Sequence, residues 1–142
     1  MHDSLQFVPA DELHDYWAFV RDGLGRVLEK GGGRWLPEDI YHLIKSGSAF
    51  LHVAFESGAP AGFFVLQEAQ DWDAKTLHIL AAYSSAHGDI FRHQATLMQF
   101  AKNAGAKRLT FASPRLGWVG RAPKHGFEIG QTFYSLPIES EH

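Results

Sequence analysis

Chemistry in this chain has to come from histidine, carboxylate, tyrosine, serine or backbone groups, because the sequence holds nine histidines and no cysteine. The lack of thiols removes disulfides, zinc–thiolate centres, iron–sulfur clusters and cysteine nucleophiles together. Nor are the histidines spaced for a metal. No two stand at i,i+4 as in an H-E-x-x-H helix, and no group of two histidines and one carboxylate is evident. No metal site is expected. His78 lies inside an apolar run, where a satisfied sheet-face histidine is the commoner case and a catalytic one the alternative. His87, beside Gly88, can donate to a phosphate or simply be solvated in a loop, and His125 can be catalytic or a plain surface residue. Gly31-Gly32-Gly33-Arg34 lacks the Walker spacing and follows a helical pattern, so it is read as a helix terminator. A modest basic stretch includes Arg115, Arg121 and Lys124, with solvation as the plain alternative to anion binding.

The elements that must position these residues fit one domain over residues 1–142, since domains peak at about 100–150 residues. With 45% apolar and 20% charged residues the chain is globular, not disordered. Thirteen Lys and Arg against sixteen Asp and Glu give a formal charge of −3, leaving no basic excess for nucleic acid. There is neither a signal-peptide pattern at the start nor a run of 18 apolar residues, so a soluble, cytoplasmic chain without membrane partners is expected.

Hydrophobic periodicity sets the order of elements. Leu5–Val8 reads as a short strand. Leu13, Trp17, Val20, Leu24, Val27 and Leu28 recur at three- and four-residue steps and predict a helix from about Asp11 to Lys30, weakened in its middle by Gly23 and Gly25. Pro37, Glu38-Asp39 and Gly47 bracket a second, short helix. From Ala49 the period falls to two. A hairpin of strands around 51–55 and 62–66 is followed by the turn Asp71-Trp72-Asp73 and a third strand from Thr76 to Tyr83, completing a meander. A helix beginning near Asp89 and closing at Gly105 leads to a strand at 109–112, a βαβ unit with parallel strands. A short helix or loop then reaches His125, and Phe127 to Pro137 reads as a last strand.

This α+β order, β-α-α-β-β-β-α-β-α-β around a mixed, mainly antiparallel sheet, resembles the GNAT (Gcn5-related N-acetyltransferase) family. The ending Lys124-His125-Gly126-Phe127-Glu128 is similar to the family's Gly-Phe opening of its last strands. The resemblance implies a sheet splayed between the strands at 76–83 and 109–112, with acetyl-CoA in the gap. It implies that Leu80 and Ala82 backbone groups hold the pantetheine and acetyl carbonyl. The diphosphate would sit on the loop Ser85-Ala86-His87-Gly88-Asp89-Ile90, where Gly88 leaves amides open to phosphate oxygens. Ser85, His87, Gly88, Asp89 and Ile90 are therefore the candidate donor-binding residues, and Arg115, Arg121 or Lys124 the candidates for the 3′-phosphate. An acyl group would pass from acyl-CoA to an amine, with Tyr83, His78, His125 and Glu68 as candidate acid or base residues.

Three departures from the family pattern support a second reading. Ile90 stands where a small residue is usual, Asp89 places a carboxylate near the diphosphate, and Ala122 replaces the family's usual tyrosine. These fit a GNAT-fold protein that has lost catalysis and serves as a binding or assembly module, for instance a phage or mobile-element structural protein. Trp35, Tyr41 and Trp72 fall in or near loops, and can line an acceptor pocket or an interface to an assembly partner or a second copy in a homodimer.

Overall fold

The computed structural model of the chain describes residues 4–31, 34–85, 90–113, 118–130 and 133–138. Five strands, β1 (Ser4–Val8), β2 (Phe50–Glu56), β3 (Ala59–Gln70), β4 (Lys75–Ser84) and β5 (Arg108–Phe111), form one sheet in the order β1-β2-β3-β4-β5. The first four are antiparallel neighbours, and β5 joins β4 in parallel after a crossover. The fold is α+β with a mixed, mainly antiparallel sheet, as the periodicity implied.

Helices α1 (Trp17–Glu29) and α2 (Pro37–Lys45) cover one face of the sheet. There Val20, Leu24, Ile40 and Ile44 pack with Leu51, Val53, Phe63 and Val65. Helix α3 (Gln94–Asn103) covers the other, where Leu97 and Ala101 meet Phe64, Leu66, Leu77 and Leu109. Adjacent β3 residues thus feed opposite cores, Phe63 and Val65 to one and Phe64 and Leu66 to the other, as the period of a doubly covered strand requires. A short helix α4 (Trp118–Arg121) runs into a 3₁₀ turn at Ala122–His125.

Several boundaries differ from the sequence expectation. The first helix does not begin at Asp11: Ala10–Asp15 is a 3₁₀ turn, and the α-helix starts at Trp17. In the same way a 3₁₀ turn at Ile90–His93 precedes α3. Helix α2 keeps its expected start, with Pro37 in the first turn and the Leu36 amide donating to the Asp39 carboxylate at 2.8 Å. The expected last strand is not formed by residues 127–130 and 133–138, which lie outside the sheet with Phe133, Tyr134, Leu136 and Ile138 exposed. Apolar alternation specifies a strand only where a neighbouring edge accepts it, and here the periodicity finds no ladder partner.

The turn between β3 and β4 is clamped from β5. Arg108 reaches both oxygens of Asp73, at 2.6 and 3.1 Å, and Asp71 at 3.2 Å. This fork holds Asp73 below the usual carboxylate range. Trp72, between the two acids, is fully exposed.

Candidate functional site

The sheet opens where β4 and β5 part. Their parallel register runs from Thr76–Arg108 to Ile79–Phe111 and stops there, whereas β4 continues to Ser84. Beyond Ile79, among the described residues, no strand lies beside Leu80–Tyr83 on that side. At the same level β4 carries a bulge: Val65 pairs with Ala81 and Leu66 with Ile79, leaving Leu80 as the extra residue. Leu80 and Ala81 consequently both belong to the core under α1 and α2, and alternation resumes with Ala82 on the α3 face and Tyr83 on the α1 face.

A cleft of about 290 Å³ fills the gap. Its α1 end is lined by Arg26, Val27, Lys30, Leu80 and Tyr83, and its α3 end by Ile79, Ala82, Phe91, Gln94 and Phe127. Leu109 and Phe111 of β5 complete the far wall, with Arg121 of α4 at its margin. Most of the lining is apolar, so a ligand that entered would shed water while meeting a strand edge able to hydrogen-bond an extended amide chain.

Tyr83 is the candidate catalytic residue that the structure brings to the cleft. Its ring is half-buried, with ring centres 5.7 Å from Phe63 and 6.3 Å from Phe19. Two close approaches fix it. Gly23 of α1 lies against the ring, and Gly62 of β3 lies against the Tyr83 carbonyl oxygen, so a β-carbon at either place would collide. Leu80 and Ala82 also line the cleft.

The other candidates lie elsewhere. Glu68 pairs with Lys75 at the opposite end of the hairpin. It stands opposite Leu77, six strand positions from Tyr83, or about 20 Å. His78 is five positions away, about 16 Å, with Nδ1 2.8 Å from Thr110 Oγ1. Burial lowers its pKa, so the ring is neutral at pH 7. His125 sits behind the α3 wall: its ring stacks on Phe91 at 3.8 Å and its carbonyl accepts Gln94 Nε2 at 2.8 Å. Ser85 is fastened to β3, its amide and hydroxyl both donating to the Ala61 carbonyl at 2.7 and 2.8 Å. His87, Gly88 and Asp89 lie outside the described residues, as does Arg115, and for Ile90 only the backbone is described. Lys124 is exposed, while Arg121 reaches the cleft.

Sequence reasoning missed Arg26, Val27, Lys30, Phe91, Gln94 and Phe111. The first three lie on α1, some 55 residues before Tyr83, and no local spacing links them to β4. Among the described residues no group of three or more His, Asp or Glu is placed to hold a metal ion, and no helix is long and apolar enough to cross a membrane.

No family model matches the sequence, and none of the curated proteins matches it. Solved structures do. The chain is similar to a ribosomal-protein-alanine N-acetyltransferase from Brucella melitensis biovar Abortus 2308, with TM-score 0.66 and 15% identity over 97% of this chain and 99% of that one. A GNAT family acetyltransferase from Staphylococcus aureus gives TM-score 0.64 and 14% identity over 97% and 100%. An aminoglycoside acetyltransferase from an uncultured soil metagenomic sample, in complex with sisomicin, gives 0.66 and 11% over 95% and 97%. The chain therefore has the fold of the GNAT acetyltransferases across nearly its whole length.

Proposed function

We propose that this protein is an N-acyltransferase that takes an acetyl or related acyl group from acyl-CoA and passes it to an amine. The reading is carried by one observation: β4 parts from β5 immediately after Ile79–Phe111, beside a bulge at Leu80, leaving a strand edge and an apolar cleft in a GNAT-like fold. An extended pantetheine can add to that edge as a further strand through Leu80–Tyr83, and the bulge turns backbone groups toward the thioester. The diphosphate is assigned to the segment 85–90, with the amide of Gly88 among its donors.

In the reaction the neutral amine attacks the thioester carbonyl carbon. A C–N bond forms, the C–S bond breaks as the CoA thiolate leaves, and the nitrogen gives up its proton to solvent water. Tyr83 is assigned to protonate that thiolate, since it is the acid among the sequence candidates that lines the cleft. Phe91, braced by the His125 ring, closes the α3 wall against water. Glu68 and His78 are assigned no role, because neither lines the cleft.

A melting curve with and without acetyl-CoA tests the reading. Ligand at a hundred times its dissociation constant stabilises by about 2.7 kcal/mol, and Gly88→Glu abolishes the shift by placing a charge in the loop. No shift at millimolar acetyl-CoA would leave a GNAT-like scaffold acting as a binding or assembly module.

A further inference from the structure

The cleft is lined from both faces of the sheet, since its lining draws on both cores. Leu80 and Tyr83 belong with α1, Ile79 and Ala82 with α3. If the donor approaches from the loop before α3, as the proposed function requires, the α1 end is left for the acceptor. That end is framed by Arg26 and Lys30, one turn apart on α1. Not one Asp or Glu lines the cleft among the described residues, although acids outnumber Lys and Arg across the chain, sixteen to thirteen. The positive lining thus runs against the average charge of the molecule.

Asp22 and Glu29 are the acids that bear on Arg26, and neither lines the cleft. Asp22 accepts from Arg26 Nε at 3.1 Å, one turn back along α1. The pair uses one edge of a guanidinium that carries five N–H donors and orients the side chain without consuming it. Lys30, at the end of α1, adds a point charge beside the helix C-terminus. A wholly cationic acceptor would be repelled here, whereas an amine that carries a carboxylate or phosphate would be drawn in by that group.

We propose that the acceptor is an anionic amine, its carboxylate or phosphate recognised by Arg26 and Lys30 at the α1 end of the cleft while its nitrogen faces the thioester. The inference rests on the acyltransferase reading, and the test separates the two. Acetyl-CoA binding is measured first by calorimetry on the full chain. Acetyl transfer is then followed by thiol release with matched primary amines: α-amino acids against their amides, and phosphoethanolamine against ethanolamine. The first pair reports a carboxylate, the second a phosphate. The expected result is at least a tenfold higher kcat/KM for the charged member of one pair. In R26A/K30A, checked for folding by its melt, that ratio collapses toward one. Parity in the parent protein, no turnover of any charged amine while acetyl-CoA binds, or an unchanged ratio in R26A/K30A would each overturn the acceptor inference alone. So would a loss of acetyl-CoA affinity in R26A/K30A, which would assign the two cations to the donor's own phosphates. Absence of acetyl-CoA binding in the parent protein would overturn both readings.

Discussion

Gly23 of α1 faces the ring of Tyr83 so closely that a β-carbon there would lie 2.7 Å from Tyr83 Cδ2, and 2.5 Å from Phe63 Cε2. The residue that weakens the middle of the helix is the one that lets the helix settle onto the cleft's tyrosine. Gly25, two positions on, faces open space. The two glycines therefore separate helix propensity from packing. Gly25→Ala should stabilise by up to about 1 kcal/mol, the ordinary gain of alanine over glycine in a helix. Gly23→Ala should instead destabilise by about 1–3 kcal/mol, because two ring bodies must move to admit the methyl. It should also slow acetyl transfer by displacing Tyr83. Urea unfolding of the two variants checks the pair, and equal stabilisation of both would contradict the close approach.

Tyr83→Phe keeps the ring that packs on Phe63 and Phe19 and removes only the hydroxyl. A lost general acid costs about 10²–10⁴ in kcat, and a decrease in that range with an unaltered melt is expected for this variant. Glu68→Gln and His78→Asn should leave kcat where it is, since neither side chain lines the cleft. Steady-state rates of thiol release decide it, and a loss at Glu68 greater than at Tyr83 would reverse the assignment.

Gly62 sits opposite Ser84, where a side chain would run into the backbone carbonyl of Tyr83. Backbone cannot swing aside as a flexible side chain does. Gly62→Ala is expected to destabilise by about 1–3 kcal/mol and to weaken acetyl-CoA binding, because the strand that shifts is the one edging the cleft. Thermal melts with and without acetyl-CoA report both effects together.

His52 on β2 is packed between Phe7 and Phe100, at 5.5 and 4.7 Å between ring centres, with its Nδ1 buried. Burial pushes its pKa down to about 4. The folded state thus binds fewer protons than the unfolded one between about pH 4 and the ordinary histidine value of about 6.5. Stability is therefore full above pH 6.5 and declines as the pH falls toward 4. The part of this decline owed to His52 is about 2 kcal/mol after discounting for its partial exposure. His52→Phe should flatten that part of the profile. Melting temperatures at pH 4.5 and 7.5 give the comparison, and an identical acid slope in both proteins would place the titration elsewhere.

The order of elements up to β5 was legible because each core face leaves a periodicity in the chain. Val20, Leu24, Ile40 and Ile44 step at helical spacing, while Leu51 and Val53 alternate, and these same residues make up the core under α1 and α2. The turn at Asp71–Asp73 was legible too, although nothing local announced that Arg108 of β5 would grip it across 35 residues. Where a pattern depends on a partner the reading failed: the alternation after Phe127 found no strand edge, and the first turn of the expected helix at Asp11 tightened to 3₁₀.

The site divides along the same line. Residue types alone excluded thiol chemistry, and the resemblance carried by element order pointed to β4 and offered Tyr83 together with His78, His125 and Glu68. It took the folded chain to reveal that β5 stops at Phe111, that Leu80 bulges, and that α1 lays Arg26 and Lys30 beside the opening. The physical reason is range. Periodicity is written by each residue's neighbours a few positions away, whereas a cleft is made by strands parting and helices crossing, and one lined by residues 26, 83 and 111 leaves no spacing to read.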